Sequence, residues 1–171
     1  MIWVIYSFYF LVYFWFIKSN DVNDFRNRPK DQYIFEADWK ELYVLTEHWK
    51  SDLLFYKDDL RFLQHLIDKY FLWMSQKENI DLVRDTEVNL METDKQCDSL
   101  LKRTSNHLTH LADLIDDPFK YDSHTFRTEH QALEDGLASF VKTVRENRKE
   151  IFKVTEHVVD SEEFVEKLMK K

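Results

Sequence analysis

An all-α fold, an elongated antiparallel three-helix coiled-coil bundle, is predicted by three features of this chain. Apolar residues recur at alternating spacings of three and four along three long runs, turn-forming residues are nearly absent, and only two short interruptions separate the runs. A mean spacing of about 3.5 keeps one stripe of side chains facing a partner helix along its whole length. With one Gly and two Pro among 171 residues, there is no material for glycine-rich phosphate loops, repeated tight hairpins or the turns of an all-β fold.

The first element is of a different composition. Residues 1–17 carry no charge and are crowded with Trp, Tyr and Phe. As a helix they would span roughly 25 Å, enough to cross a thin bilayer. They lack the basic residue before the apolar run and the small residues after it that mark a cleaved signal peptide. Lys18, Arg26, Arg28 and Lys30 follow, which by the positive-inside rule places the rest of the chain in the cytoplasm. The expectation is therefore a membrane anchor with a cytoplasmic bundle. The alternatives are a translated upstream extension, which would leave the protein cytoplasmic, and a signal peptide. Residues 18–34 are polar, contain Pro29 and lack periodicity, as a linker would. The bundle proper is expected over residues 35–159.

The first long helix carries the stripe Leu42, Thr46, Trp49, Leu53, Tyr56, Leu60, Leu63, Ile67, Tyr70. Ser75 with Glu78 fits a capping box, which predicts that this helix stops near Met74 and a second starts at once, folding back antiparallel. The second stripe is Ile80, Val83, Glu87, Leu90, Asp94, Cys97, Leu101, Thr104, Leu108, Leu111, Ile115, and Pro118 ends it. Asp122 or Ser123 then caps a third helix with the stripe Phe126, His130, Leu133, Leu137, Phe140, Val144, Asn147, Ile151, Val154, Val158. Asp160 to Glu163 read as the acidic start of a short C-terminal helix over residues 160–171.

Antiparallel pairing fixes which residues share a level. Asp59, Asp94 and Asn147 come to one height, which predicts a polar layer in the middle of the bundle. Carboxylates paired in apolar surroundings can share a proton and act as acid and base. A lone polar level in a coiled coil instead fixes register, because slippage would bury it opposite Leu, and that is the reading adopted.

Histidines supply the other candidate. His107 and His110 lie three apart on the second helix and His130 and Glu134 four apart on the third, and the level rule brings the two pairs together. Two ligands from each of two helices is how bundles hold metal. The stripe through Leu108 and Leu111, however, turns both second-helix histidines toward its flank, and no Glu-x-x-His occurs. Flanking histidines at a solvated seam are expected, with no metal, no cofactor and no catalytic residues; a metal-binding or redox bundle using these four residues is the alternative.

A net charge of −8 with no clustered basic face argues against nucleic acid. Cys97, the one cysteine, is expected to be a small buried hydrophobe. Nucleophile elbows, zinc-protease histidine pairs and kinase motifs are missing. Trp39, Trp49, Tyr56, Tyr70 and Trp73 read as core, while Phe55, Phe62, Tyr43 and Phe71 widen the apolar arc of the first helix beyond a two-helix seam. That helix therefore either touches both others or offers part of its arc to a partner, a second copy included.

Between Glu47 and Leu60 the chain carries Leu53-Leu54-Phe55-Tyr56-Lys57-Asp58-Asp59-Leu60. This resembles a Leu-x-Phe-Tyr-Lys-Asp-acid-aliphatic segment in the first helix of an uncharacterised family of bacterial helical-bundle proteins. The resemblance implies three long helices over residues 36–158 and brings no activity with it. The expectation is thus a non-enzymatic structural or interaction protein that meets a protein partner or itself, with membrane contact through residues 1–17.

Overall fold

The computed structural model describes residues 32–77 and 80–159, and these form four helices packed together with no strand among them. They are α1 (Tyr33–Glu36), α2 (Trp39–Lys77), α3 (Ile80–Asp116) and α4 (Ser123–Val159). The long ones hold 39, 37 and 37 residues, so each measures roughly 55–60 Å.

Side-chain contacts give the directions. Trp39 meets Phe126, Tyr56 meets Phe140 and Asp59 meets Arg148, so α2 and α4 run the same way. His107 meets His130 while Thr93 meets Asn147, so α3 runs back between them. Each long helix packs on both of the others.

The interior follows the period of the sequence. On α2, Leu42, Thr46, Trp49, Leu53, Leu60, Leu63 and Ile67 are buried; on α4, Phe126, His130, Leu133, Leu137, Phe140, Val144, Asn147 and Ile151 are buried. Helix α3 departs from the expected stripe by one residue at four places. Thr86, Thr93, Leu100 and Leu114 face inward where Glu87, Asp94, Leu101 and Ile115 were expected. The threonines can go inside because Thr86 and Thr93 donate their hydroxyls to the carbonyls of Leu82 and Asn89, each at 2.8 Å. A carboxylate has no hydrogen to give a carbonyl, so Glu87 and Asp94 are left at the edge.

Two apolar clusters result. The larger runs from Trp49 and Leu133 to Ile67 and Ile151; the smaller gathers Ala37, Leu42, Leu111, Leu114 and Phe126 near the start of α2. Between them lie the buried polar side chains of Thr46, Thr104, His107 and His130.

Helix ends obey local chemistry with one correction. Asp38 and Glu41 form a capping box, Asp38 Oδ1 accepting the Glu41 N–H and Glu41 Oε2 accepting the Asp38 N–H, both at 2.8 Å. The sequence reading passed over this pair. It placed a box at Ser75 and Glu78 instead, yet α2 continues through Ser75 to Lys77. No Gly or Pro interrupts Trp73 to Asp81, so helical propensity carries the chain past the serine. Pro118 does close α3 at Asp116, and Asp122 Oδ1 accepts the Thr125 N–H at 2.7 Å to cap α4.

The packed region begins earlier than expected, since Tyr33 and Ile34 belong to α1 and Ile34 is buried. Arg127 holds this turn by donating to the carbonyls of Ile34 and Ala37 with its guanidinium over the Trp39 ring, 4.2 Å from the centroid. The membrane segment expected at residues 1–17 and the short helix at 160–171 lie outside the described residues. Among those described, no helix is long and apolar enough to cross a membrane.

Candidate functional site

Three places bring chemistry-bearing residues together: a histidine pair, a central polar level, and the outer face of α2.

His107 and His130 form the first. Both are buried, and Nε2 of His107 lies 2.8 Å from Nδ1 of His130. One ring donates and the other accepts, so the pair at neutrality holds one N–H between its two facing nitrogens. Aromatic rings flank both. Phe126 stacks on His107 at 4.4 Å between centroids, and Trp49 leans on His130 at 4.7 Å. Burial pulls the His107 pKa down to about 4, and the charges of His110 and Arg103 push the same way. The sequence reading, which put His107 on a solvated flank, is corrected here. At this level α3 buries Thr104, His107, Leu108 and Leu111, an arc wide enough to take in His107.

The four residues of the metal alternative do not converge. His110 is exposed and faces Tyr121, with ring centroids 5.4 Å apart, at the α3–α4 turn. Glu134 is buried one turn beyond His130. Among the described residues, no three of His, Cys, Asp and Glu stand together as metal ligands would. The histidine pair instead works as a hydrogen-bonded rung between α3 and α4. Sliding either helix along the other would part the two rings and take this hydrogen bond away.

The polar level lies at the predicted height with a different cast. Arg148 closes on Asp59 between α4 and α2, with only 8% and 13% of the two side chains exposed. Asn147 donates to Thr93 Oγ1 at 2.7 Å. Asp94, expected inside, sits at the edge where Lys57 bridges it at 2.9 Å and Asp98 at 2.8 Å. Arg148 and Thr93 were missed because each stands next to a residue that fits the stripe better on paper. Cys97 is buried as expected; its Sγ lies 3.4 Å from the Leu53 carbonyl, and burial pushes its thiol up to about 11.

The outer face of α2 is apolar along a line. Val44 and Phe55 are each 54% exposed and Phe62 39%. At the helical repeat these three point away from Leu42, Leu53, Leu60 and Leu63, the buried side. Leu54 on the same helix and Val88 and Met91 on α3 are exposed as well. A shallow groove of about 430 Å³, lined by Tyr33, Lys40, Val44 and His48 among others, continues the line toward α1.

The chain matches no protein-family model, no curated protein and no solved structure.

Proposed function

We propose that this chain is a non-enzymatic interaction module, an antiparallel three-helix coiled-coil bundle that presents the outer face of α2 to a protein. One observation supports this above the others. Phe55 and Phe62 stand exposed on the side of α2 opposite its buried stripe. Large aromatics aligned on a surface mark contact sites more often than chance exposure does. The interior supports the same reading: His107 with His130, Asn147 with Thr93 and Arg148 with Asp59 join one helix to another, and the thiol is buried and held protonated.

The test places a photo-reactive amino acid at position 55 in the full chain, with position 142 on the exposed side of α4 as control. Adducts of protein mass from position 55 and not from 142 are the expected outcome. Equal labelling at both, or none at either, would remove the reading.

A further inference from the structure

We infer that the turn between α3 and α4 is a contact point in its own right, with Phe119 the anchor that enters an apolar pocket rimmed by Lys or Arg on a partner protein. The inference does not rest on the reading of α2.

Phe119 stands apart from the other large apolar side chains among the described residues. It is 93% exposed, whereas the next, Val44 and Phe55, are 54% exposed. At that exposure its ring adds almost nothing to the turn that carries it. The turn closes through backbone and polar groups: the Lys120 N–H donates to the Asp117 carbonyl at 3.1 Å, and the Phe119 N–H donates to Asp117 Oδ1 at 3.1 Å. Pro118 fixes its own φ between them. The far side is tied back to α3, where the Tyr121 hydroxyl and the Lys120 ammonium both meet Asp113 Oδ2 at 2.9 Å. The ring is thus held out on a turn already fixed, and capturing it costs little ordering of the backbone. A large apolar area on two torsions is what a contact anchor needs.

Charge selects the occupant. Residues 113–122 hold four acids, Asp113, Asp116, Asp117 and Asp122, against one base, Lys120, and that base is matched by Asp113. Asp116, Asp117 and Asp122 all lie within three residues of Phe119. Asp122 is held ionised, since the bond from the Thr125 N–H draws its pKa down. Arg127, the next base along the chain, is engaged with the carbonyls of Ile34 and Ala37. Two copies meeting turn to turn would set these acids against one another, and an anionic bilayer would repel them. Lys or Arg around an apolar hollow would attract them and fix the direction of approach. One ring with a charged rim is a small contact, which fits a reversible complex.

The test places a photo-reactive phenylalanine analogue at position 119 of the full chain, in the cells the protein comes from, with position 142 on the exposed side of α4 as control. The adduct protein is identified, purified and titrated against the unlabelled chain. One adduct specific to position 119 is expected, cross-linked at an apolar site with Lys or Arg beside it. Against that purified protein, Phe119→Ala should raise the Kd at least about tenfold. Asp116→Asn with Asp117→Asn should raise it about threefold or more, and added salt should weaken the parent more than this double variant. Asn keeps an oxygen at 117 to accept the Phe119 N–H, so the turn survives the change. Urea unfolding of Phe119→Ala should match the parent, because the ring is 93% exposed. No adduct, the same adduct from 142, a Kd unmoved by Phe119→Ala, or an affinity indifferent to the two acids would overturn the inference. So would an adduct that proves to be this chain itself. Co-sedimentation of the parent, and not of Phe119→Ala, with vesicles of phosphatidylcholine and phosphatidylserine would make the occupant a bilayer and overturn it too. Labelling from position 55 bears on α2 alone, so the two readings fail separately.

Discussion

His107 and His130 hold α3 to α4 through a single hydrogen bond between two buried imidazole rings, 2.8 Å from nitrogen to nitrogen. The bond needs an acceptor nitrogen on one ring, so it is lost only when both rings are protonated.

Its pH dependence has a definite sign. In the unfolded chain His107 takes a proton near pH 6.5, whereas in the fold it resists until about pH 4. The unfolded state therefore binds more protons between those values, and stability is lost as pH falls through that window and levels off below it. The loss is on the order of 3 kcal/mol. Urea unfolding at a series of pH values should show it, and His107→Phe should flatten the slope relative to the parent. An equal slope in both proteins would show that His107 does not carry the dependence.

Asp59 and Arg148 form a nearly buried ion pair. Truncating either one strands the other charge, so Asp59→Ala or Arg148→Ala should each cost about 3 kcal/mol. Replacing both with apolar residues, Asp59→Leu with Arg148→Met, should come within about 1 kcal/mol of the parent in chemical denaturation. The same double change should broaden the amide spectrum if this pair sets the register of the helices.

The Cys97 thiol should be inert in the fold. Buried, with its pKa pushed up to about 11, it should react with an aromatic disulfide reagent at least about a hundredfold more slowly than in the denatured chain. Comparable rates would mean that α3 opens readily at its middle.

Gly136 is available for improvement. It sits inside α4 with ordinary helical geometry, and an added Cβ would meet Leu100 Cδ2 at 3.7 Å and Arg103 Nη1 at 3.9 Å, normal contact distances. Gly136→Ala should raise stability by about 0.5–1 kcal/mol. Calorimetry showing a lower melting temperature would mean that the site is tighter than these distances indicate.

Much of this fold was legible because period and level are arithmetic. The stripes of α2 and α4 could be read directly since apolar residues such as Leu53, Leu60, Phe140 and Val144 recur at spacings of four and seven. Helix α3 was harder: Thr93 and Asp94 differ by 100° on the helix wheel, and what decides between them is a hydroxyl that can bond its own backbone. The depth of His107 was hidden for a related reason. A pattern of apolar residues does not reveal that two neutral rings on different helices can satisfy each other inside. The Ser75 box failed because a capping sequence works only where the chain actually leaves the helix.

The clamp made by Arg127 bears on mechanics. It ties α1 to the first turns of α4, at the end of the bundle where α3 turns into α4 and opposite the α2–α3 connection. A pull applied at Gln32 against Val159 acts along the bundle and loads those two carbonyl bonds and the stacked indole in shear. Arg127→Ala should therefore lower the first rupture force in single-molecule stretching while leaving the later peaks in place, which makes this arginine the mechanical fuse of the molecule.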